Sequence, residues 1–407
     1  MKCGLLGRKL GHSYSPQIHA LLGNYSYQLF EKEPEEIGDF LKNGDFTGLN
    51  VTIPYKKEVI PFLDELSPAA ARLGAVNTIV RRDGKLIGHN TDYFGFRRLV
   101  QESGLQVAEK KVLVLGSGGA SSTAVAVLQE LGAKVTVISR SGENNYENLD
   151  RHADAAVIVN TTPVGMYPNT GKSALSLEGF PRLEGVLDAV YNPARTQILL
   201  DAERRGLAAV NGLWMLVAQA KESAEWFTGE EIPDSRIAKI HHTLRLQMEN
   251  IILIGMPGCG KTAVGQQIAQ KLGKKFVDAD ESLEARVCRK ITDIIPNDGE
   301  AAFREMESET LAELGKQSGL VIATGGGCVT QPQNYPLLHQ NGTIFWLKRE
   351  LDKLPTDGRP LSQKGTLVQM YEARMPLYLR FADAAISNDG SIAETASAIC
   401  RKLEETT

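Results

Sequence analysis

The 407-residue sequence is poor in cysteine and has no excess of positive charge. Its five cysteines are scattered and form no C-x-x-C pair, which argues against a disulfide framework and a structural zinc site. A formal net charge of −4 gives no electrostatic reason to bind nucleic acid or an anionic membrane. No apolar run reaches the roughly 18 residues of a membrane helix, and the N-terminus lacks the apolar core of a signal peptide. These absences predict a soluble cytoplasmic protein with no nucleic-acid or membrane partner.

Short β-branched runs alternate with helical stretches along most of the chain, which predicts an α/β protein with parallel sheets. The predicted strands are Lys111–Leu115, Lys134–Ile138, Ala156–Asn160, Gly185–Val190, Asn250–Ile254, Lys275–Val277, Leu320–Ala323 and Thr343–Leu347. The length favours more than one domain, and the pattern restarts after a polar-faced helix predicted over Asp234–Gln247. We therefore predict a first domain over 1–247 and a second over 248–407. Within the first, 104–212 would form a Rossmann-type part, and 1–103 with 213–247 a separate α/β part.

The stretch GMPGCGKT, at 255–262, fits G-x-x-x-x-G-K-[ST] and lies between a predicted strand and a helix. Such a loop directs backbone N–H groups at phosphate oxygens, its lysine meets the β- and γ-phosphates, and its hydroxyl ligates Mg²⁺. The less favoured alternative is a glycine turn with an incidental lysine. The pattern therefore predicts an ATP site and an α/β P-loop domain. The residues assigned to the nucleotide are Gly258, Cys259, Gly260, Lys261, Thr262 and Ala263.

Five motifs follow this loop. Asp278 and Asp280 come at the end of a predicted strand, where one carboxylate could serve a metal ion and the other a substrate hydroxyl. Taken alone, such a pair is as well explained by a helix cap or a solvated turn. Arg304 and Glu307 share one helical face, which could also be an exposed ion pair of little energetic weight. The remaining motifs are TGGG at 324–327, GRPL at 358–361 and EARMPLY at 372–378.

In this order, the motifs resemble shikimate kinase over essentially all of 248–407. The resemblance implies MgATP-dependent phosphorylation of the 3-hydroxyl of shikimate. The resemblance implies that Arg304 and Arg374 bind the substrate carboxylate, that Glu307 positions Arg304, and that Gly326 contacts the substrate by its backbone. Asp280 would orient the hydroxyl and accept its proton, and Thr262 and Asp278 would hold Mg²⁺. Arg359, on a closing lid, would meet the developing phosphoryl charge as a catalytic residue, as would Lys261. The stretch before RPL lacks an additional arginine that relatives often carry there.

A second glycine-rich stretch, GSGGAS at 116–121, also follows an apolar strand and precedes a helix. This is the placement of a dinucleotide site, although a structural glycine turn is an alternative. An NAD site usually has an acidic residue at the end of the next strand, to bind the ribose hydroxyls. This chain has Ser139 and Arg140 there, and a cation beside hydroxyls suits the 2′-phosphate of NADP.

The N-terminal part carries several polar motifs, each with an ordinary explanation when taken singly. GHSYSP contains Ser13 and Ser15, NVTIPYK contains Thr52 and Lys56, and HNTD contains Asp92. Serines cap helices, lysines are usually solvated, and Asn or Asp residues are common in turns. Together with Asn77, Tyr191 and Gln219 these residues resemble shikimate dehydrogenase over nearly all of 1–247. Quinate/shikimate dehydrogenases share the pattern.

This second resemblance implies reversible hydride transfer between NADP(H) and the 3-carbon of shikimate or 3-dehydroshikimate. Lys56 and Asp92 would be the catalytic pair. The implied substrate ligands are Ser13, Ser15, Thr52, Asn77, Asp92, Tyr191 and Gln219. The implied NADP(H) contacts are Gly116, Ser117, Gly118, Gly119 and Ala120 at the pyrophosphate, Ser139 and Arg140 at the 2′-phosphate, and Ala189 and Gly212 near the nicotinamide.

The two reactions are consecutive, because the hydroxyl made by the first half is the one that the second half phosphorylates. We therefore predict a bifunctional enzyme of the shikimate pathway, which supplies aromatic amino acids. A quinate-directed first half is the narrower alternative. A ligand sensor built from inactive enzyme domains is the other, although the presence of Lys56, Asp92, Lys261 and Asp280 argues against it.

Overall fold

A computed structural model describes residues 1–11, 13–354 and 364–405, with side chains left undescribed at 364–366. The chain forms two compact units. One comprises Met1–Val164, Ser173–Tyr191 and Ile198–Thr243, and the other comprises Gly165–Lys172, Asn192–Gln197 and Leu244–Thr407. Among the described residues, no helix combines the length and apolar character needed to cross a bilayer.

The first sheet lies in the N-terminal part of the first unit. Its elements are β1 (Lys2–Gly7), α1 (Ser15–Leu22), β2 (Ser26–Glu31), α2 (Ile37–Asn43), β3 (Gly48–Val51), β4 (Glu65–Leu66), α3 (Pro68–Leu73), β5 (Thr78–Arg82), β6 (Lys85–His89) and α4 (Asp92–Glu102). The strand order over the described residues is β2-β1-β3-β5-β6-β4.

Mixed strand directions in this sheet bring distant residues to one edge. β1 and β3 are parallel, whereas β5 runs antiparallel to both β3 and β6. The register pairs Asn50 with Thr78, and Thr78 with His89. The end of β3, the start of β5 and the end of β6 therefore meet at the same edge, and α4 begins from it.

The second sheet of this unit is parallel throughout. Its elements are β7 (Lys111–Leu115), α5 (Gly119–Glu130), β8 (Lys134–Ile138), β9 (Val157–Asn160), β10 (Gly185–Asp188), α6 (Gln197–Arg204) and β11 (Ala208–Val210). The strand order, in the described part of the chain, is β11-β10-β9-β7-β8. Between β8 and β9 the described helical structure is a short 3-10 turn, Leu149–His152. Parallel strands joined by glycine turns and helices confirm the Rossmann-type fold expected for this region.

Two helices follow, α7 (Leu213–Thr228) and α8 (Ser235–Met248). The chain returns along α7 to the first sheet, where Phe227 packs with Cys3 and Val80. The helices α4 and α7 approach closely at Gly95, where an added Cβ atom would lie 2.6 Å from the carbonyl oxygen of Met215. α7 therefore brings its polar side chains beneath the edge at which α4 begins.

The second unit is built on a third sheet, also parallel. Its elements are β12 (Asn250–Ile254), α9 (Lys261–Leu272), β13 (Lys275–Asp278), α10 (Ala279–Val287), α11 (Ile291–Lys316), β14 (Leu320–Ala323), α12 (Asn334–His339), β15 (Gly342–Lys348), α13 (Lys364–Phe381), β16 (Ala384–Ser387) and α14 (Ile392–Glu405). Over the described residues the order is β13-β14-β12-β15-β16. The non-helical backbone of Gly299 (φ 89°, ψ 163°) divides α11 into two arms.

Buried apolar strands explain why the sequence pattern located the parallel sheets well. All five residues of β12 and all four of β14 are buried, so their sequences read as continuous apolar runs. The predicted strands differ from the observed ones by two residues or fewer at each end. The α/β fold predicted for both halves is confirmed, and the second and third sheets are parallel as expected, whereas the first sheet is mixed.

Candidate active sites

Lys56 and Asp92 form an ion pair at the edge of the first sheet. The ammonium nitrogen of Lys56 lies 2.5 Å from Oδ2 of Asp92, and the two side chains are 27% and 13% exposed. Asp92 is the first residue of α4, where the helix dipole favours a negative charge. The pair is thus shielded but reachable, which is what a group exchanging protons with a substrate needs.

Asn77 holds the other oxygen of this aspartate. Its Nδ2 donates to Oδ1 of Asp92 at 2.9 Å and to Oγ1 of Thr91 at 2.9 Å. Its Oδ1 accepts the backbone N–H of Thr91 at 2.7 Å. Gln219 reaches the same threonine, with 3.4 Å between Oε1 and Oγ1. Both amide hydrogens of Asn77 are therefore used within the protein, and its side chain is placed to orient Asp92.

The remaining substrate candidates of the first unit fall into two neighbourhoods. Tyr191 packs edge-on against Tyr14, with 6.1 Å between ring centroids. Tyr14 lies between Ser13 and Ser15, and Oγ of Ser13 accepts the backbone N–H of Ser15 at 3.2 Å. Burial raises the pKa of Tyr191, so its hydroxyl stays protonated at neutral pH. Thr52 follows β3 directly, beside Gly7 at the end of β1.

The glycine loop after β7 presents bare backbone at the start of α5. A Cβ atom on Gly118 or Gly119 would have no neighbour within 4 Å, and Ser117 is exposed. Ala120 follows in the first turn of this 12-residue helix, whose N-terminus favours anions. Gly116 adopts φ +107°, which lets the chain turn from strand to helix. Open backbone at a helix N-terminus fits a dinucleotide pyrophosphate.

The other cofactor candidates lie at the ends of neighbouring strands. Ser139 follows β8 and Arg140 is exposed beside it, so a cation is available for a 2′-phosphate. Ala189 follows β10, and Gly212 precedes α7. A Cβ atom on Gly212 would lie 2.1 Å from the carbonyl oxygen of Ala189, so the two positions are in direct contact.

In the second unit, the P-loop turns its lysine inward. Nζ of Lys261 donates to the carbonyl oxygens of Gly255 at 3.0 Å and Met256 at 3.1 Å, and the residue is 9% exposed. To meet a phosphate, the ammonium group must leave these carbonyls. Gly258 (φ +81°) and Gly260 (φ +97°) adopt the left-handed backbone that such a loop requires.

Asp278 serves two purposes at once. Its Oδ1 caps α10 by accepting the N–H groups of Asp280 and Glu281. Its Oδ2 accepts a hydrogen bond from the Thr262 hydroxyl at 3.1 Å. The helix-cap explanation of the sequence is therefore correct, and it does not exclude a metal role. Hydroxyl and carboxylate oxygens are ligands that Mg²⁺ prefers, so these two residues fit a magnesium ion beside the phosphates.

The carboxylates of Asp280 and Glu307 lie next to the TGGG stretch at 324–327. Burial, and then the charge of Asp278, raise the pKa of Asp280, which makes it a better proton acceptor than an ordinary aspartate. Glu307 is 3% exposed, and its Oε1 has no hydrogen-bond partner among the residues that the structure describes. A Cβ atom on Gly325 would lie 2.6 Å from that Oε1 and 2.9 Å from Oδ1 of Asp280. Gly325, which the sequence did not single out, makes room for both.

Two arginines complete this cluster. Arg304 is 12% exposed, and its Nη1 donates to Oε2 of Glu307 at 2.9 Å. Burial raises the pKa of Glu307 and the Arg304 charge opposes that rise. Arg374 donates from Nη1 to the Gly326 carbonyl at 3.2 Å. A ligand contact through Gly326 would therefore use its backbone N–H.

Sequence reasoning missed one residue that supports the P-loop. Nδ2 of Asn388 donates to the carbonyl oxygen of Cys259 at 2.6 Å, and Oδ1 accepts from the Thr395 hydroxyl at 2.8 Å. Asn388 follows β16 and resembles an ordinary turn asparagine in sequence, so no local signal identifies it. Ala263 lies in the first turn of α9. Arg359, predicted to act on the lid, lies outside the described residues.

Comparison with known proteins identifies families for both parts of the chain. Residues 5–79 match the shikimate dehydrogenase substrate binding domain, and residues 257–404 match shikimate kinase. A shikimate dehydrogenase (NADP(+)) of Clostridium perfringens is 37% identical over 264 residues, covering 60% of this chain and 97% of that protein. The crystal structure of shikimate dehydrogenase 1 from Peptoclostridium difficile is 38% identical with a TM-score of 0.55, covering 60% of this chain and 98% of its own. A chorismate mutase/shikimate 5-dehydrogenase fusion protein from Clostridium acetobutylicum is 36% identical with a TM-score of 0.57, covering 60% and 96%.

The folds and sites define an oxidoreductase with a dinucleotide-binding sheet, followed on the same chain by a P-loop kinase. The oxidoreductase part contributes a lysine–aspartate pair, and the kinase part contributes arginines beside buried carboxylates. The chain belongs to the shikimate dehydrogenase family, and its residues 257–404 form a domain of the shikimate kinase family.

Proposed function

We propose that this chain is a bifunctional enzyme that reduces 3-dehydroshikimate to shikimate with NADPH and then phosphorylates the 3-hydroxyl of shikimate with ATP. We assign the first reaction to 1–247, with 104–212 binding NADP(H), and the second to 248–407. The observation that carries the proposal is that the lysine–carboxylate groups of both predicted sites lie close together among the described residues. Lys56 pairs with Asp92 in the first unit. In the second unit, burial raises the pKa of Asp280 and the charge of nearby Lys261 opposes that rise.

In the first reaction, Lys56 is the proton donor. NADPH, when bound, supplies the hydride for the ketone carbon. As negative charge develops on the substrate oxygen, the Lys56 ammonium protonates it, and Asp92 keeps that ammonium in place. In the reverse direction, neutral Lys56 takes the hydroxyl proton. Positioned acid–base help of this kind is worth about 10²–10⁴ in rate. Ser13, Ser15 and Tyr191, which lie around Tyr14, would also bind the substrate.

In the second reaction, Asp280 orients the 3-hydroxyl and accepts its proton. Burial raises its pKa, which improves it as a base. Arg304 and Arg374 would hold the substrate carboxylate, since a planar guanidinium binds carboxylate through two hydrogen bonds. ATP and Mg²⁺, when bound, supply the phosphoryl group and neutralise its charge. Thr262 and Asp278 would hold the metal ion, and Lys261 would turn from its carbonyl partners to the phosphates.

The two half-reactions, assayed separately, test this function. We expect wild type to form NADPH from shikimate and NADP⁺, and ADP from shikimate and MgATP. Lys56→Ala should lose the first activity and keep the second, and Lys261→Ala should do the reverse. A chelator of Mg²⁺ should stop only the kinase. Silence of the wild type in both assays would favour a ligand sensor, and faster turnover of quinate than of shikimate would change the first substrate.

We also propose that the chain works in the reducing cytoplasm. Its five cysteines are free, and Cys288 is the exposed one among them. Free buried thiols are typical of reducing compartments.

A further inference from the structure

A buried serine on α7 joins four polar groups beneath the Lys56–Asp92 pair. Ser223 has an exposure of 0%. Its Oγ donates to the carbonyl oxygen of Gln219 at 2.9 Å. It also receives Nδ2 of Asn50 at 2.8 Å, and lies 2.8 Å from Oγ1 of Thr78 and 3.0 Å from Oγ1 of Thr91. One of the four partners, Gln219, is a predicted substrate ligand, but Ser223 contacts its backbone carbonyl and not its side chain. The other three partners are not among the predicted substrate ligands.

Donor counting gives this cluster a direction. The backbone N–H of Thr91 can only donate, so the atom of Asn77 that receives it is Oδ1, and Nδ2 must face Asp92. The second Nδ2 hydrogen goes to the Thr91 hydroxyl. That hydroxyl must then donate elsewhere, and Oγ of Ser223 at 3.0 Å is nearer than Oδ1 of Asn77 at 3.2 Å, Oγ1 of Thr78 at 3.3 Å or Oε1 of Gln219 at 3.4 Å. Ser223 is thus the acceptor at the end of a chain that begins at Asp92.

The same serine is connected to the opposite side of the site. Asn50, which donates to Ser223, accepts the Tyr27 hydroxyl at 2.7 Å through its Oδ1. Burial raises the pKa of Tyr27 and the Ser15 side chain opposes that rise, so Tyr27 lies beside one of the proposed substrate ligands. Asn50, Thr78 and Thr91 are 6%, 0% and 0% exposed, so water cannot replace a missing partner. A buried network whose members are all satisfied holds one geometry.

We propose that Ser223 is a positioning residue of the dehydrogenase, which fixes the Asn77 amide through Thr91 and so holds Asp92 against Lys56. This inference rests on the proposed dehydrogenase function. Without the Ser223 hydroxyl, the Thr91 hydrogen loses its nearest acceptor and turns to Oδ1 of Asn77, which rotates the Thr91 lone pairs away from Nδ2. The amide then loses the Thr91 hydroxyl as an anchor, and the Nδ2 donor at Oδ1 of Asp92 is held less firmly.

The decisive comparison is Ser223→Ala with Ser223→Thr, after wild-type dehydrogenase activity has been measured. Ser223→Ala should lower the dehydrogenase kcat about tenfold, the lower end of the loss when an outer partner of an oriented group is removed. The KM for NADP⁺ should stay within about twofold, because the network does not reach the glycine loop. Ser223→Thr keeps the hydroxyl but adds a methyl group at a fully buried position. It should be less stable to heat than Ser223→Ala and yet more active.

Thr228→Ala is the matched control. Thr228 lies on the same helix, and its hydroxyl makes the same kind of bond, to the carbonyl oxygen of Ala224 at 2.9 Å, but it has no contact with the network. Its dehydrogenase kcat should stay within about twofold of wild type. The KM for NADP⁺ and the melting temperature of every variant report that the first unit is folded, and the kinase activity reports the same for the second.

Thr91→Val gives an independent test if the serine variants fold poorly. It removes the intermediate hydroxyl at nearly constant volume, so it should lower kcat to a similar extent, and adding Ser223→Ala should cause little further loss. An inactive wild type would refute the proposed function. An active wild type would refute the positioning role if Ser223→Ala kept its kcat, if Ser223→Thr were no more active than Ser223→Ala, or if the Thr91 and Ser223 effects simply multiplied.

Discussion

Replacement of Gly325 by alanine should disable the kinase through two carboxylates that the new methyl group would displace. Its Cβ would lie 2.6 Å from Oε1 of Glu307 and 2.9 Å from Oδ1 of Asp280, whereas ordinary contact begins at 3.4 Å. The carboxylates must therefore retreat by roughly 0.5 to 0.8 Å. Glu307 cannot retreat freely, because Arg304 binds its other oxygen. A misplacement of about 1 Å in a catalytic site can cost about 100-fold in rate, so we expect kcat to fall by about that factor.

The assay follows ADP formation with shikimate and MgATP, and NADPH formation by the same preparation serves as the folding control. Gly327→Ala is the companion variant, because its Cβ would lie 2.6 Å from Cζ of Arg304. Displacing that guanidinium should mainly raise the KM for shikimate, by about tenfold or more. Gly325→Ala with more than a third of the wild-type kcat, or the same KM and kcat pattern in both variants, would show that the close contacts do not set the catalytic geometry.

Three further predictions concern single side chains. Asp92→Asn should lower the dehydrogenase kcat by about 10² or more and leave the kinase unchanged; an equal loss in both activities would indicate misfolding instead. Asp280→Asn should abolish kinase turnover and yet raise the melting temperature at pH 7. The pKa of Asp280 is raised by folding above its ordinary value of 3.8, so its ionised form costs stability in full above the raised pKa, and the gain should shrink as the pH is lowered through that pKa towards the ordinary value; a stability gain independent of pH would contradict this. Asn388→Ala should raise the KM for ATP by about tenfold by freeing the Cys259 carbonyl, with no change in the KM for shikimate; equal changes in both would place the effect outside the P-loop.

Local sequence carried most of the fold, because the relevant signals act over a few residues. Apolar runs such as Asn250–Ile254 identified buried parallel strands, and glycine clusters identified the turns that follow them. The family resemblance then supplied roles for residues with weak individual signals. The ends of the strands were predicted less accurately than their positions. The strand predicted over 185–190, for example, ends at Asp188.

Burial decided between explanations that the sequence left open. The Arg304–Glu307 spacing is compatible with an exposed ion pair, but their side chains are 12% and 3% exposed. Lys56 could have been an ordinary solvated lysine, but it is held at 2.5 Å by Asp92. These outcomes depend on what other elements cover the helix or loop, and that information is not local.

The sequence alone determined the two anion-binding loops, the order of strands and helices, and the chemical types of the side chains available. Only the tertiary structure decided that α7 brings Ser223 under Asn77, and that Gly325 leaves space for two carboxylates from different helices. The physical reason is that strand propensity and turn chemistry are set by neighbours along the chain. Hydrogen bonds between buried groups distant in sequence exist only once packing has excluded water and fixed their geometry.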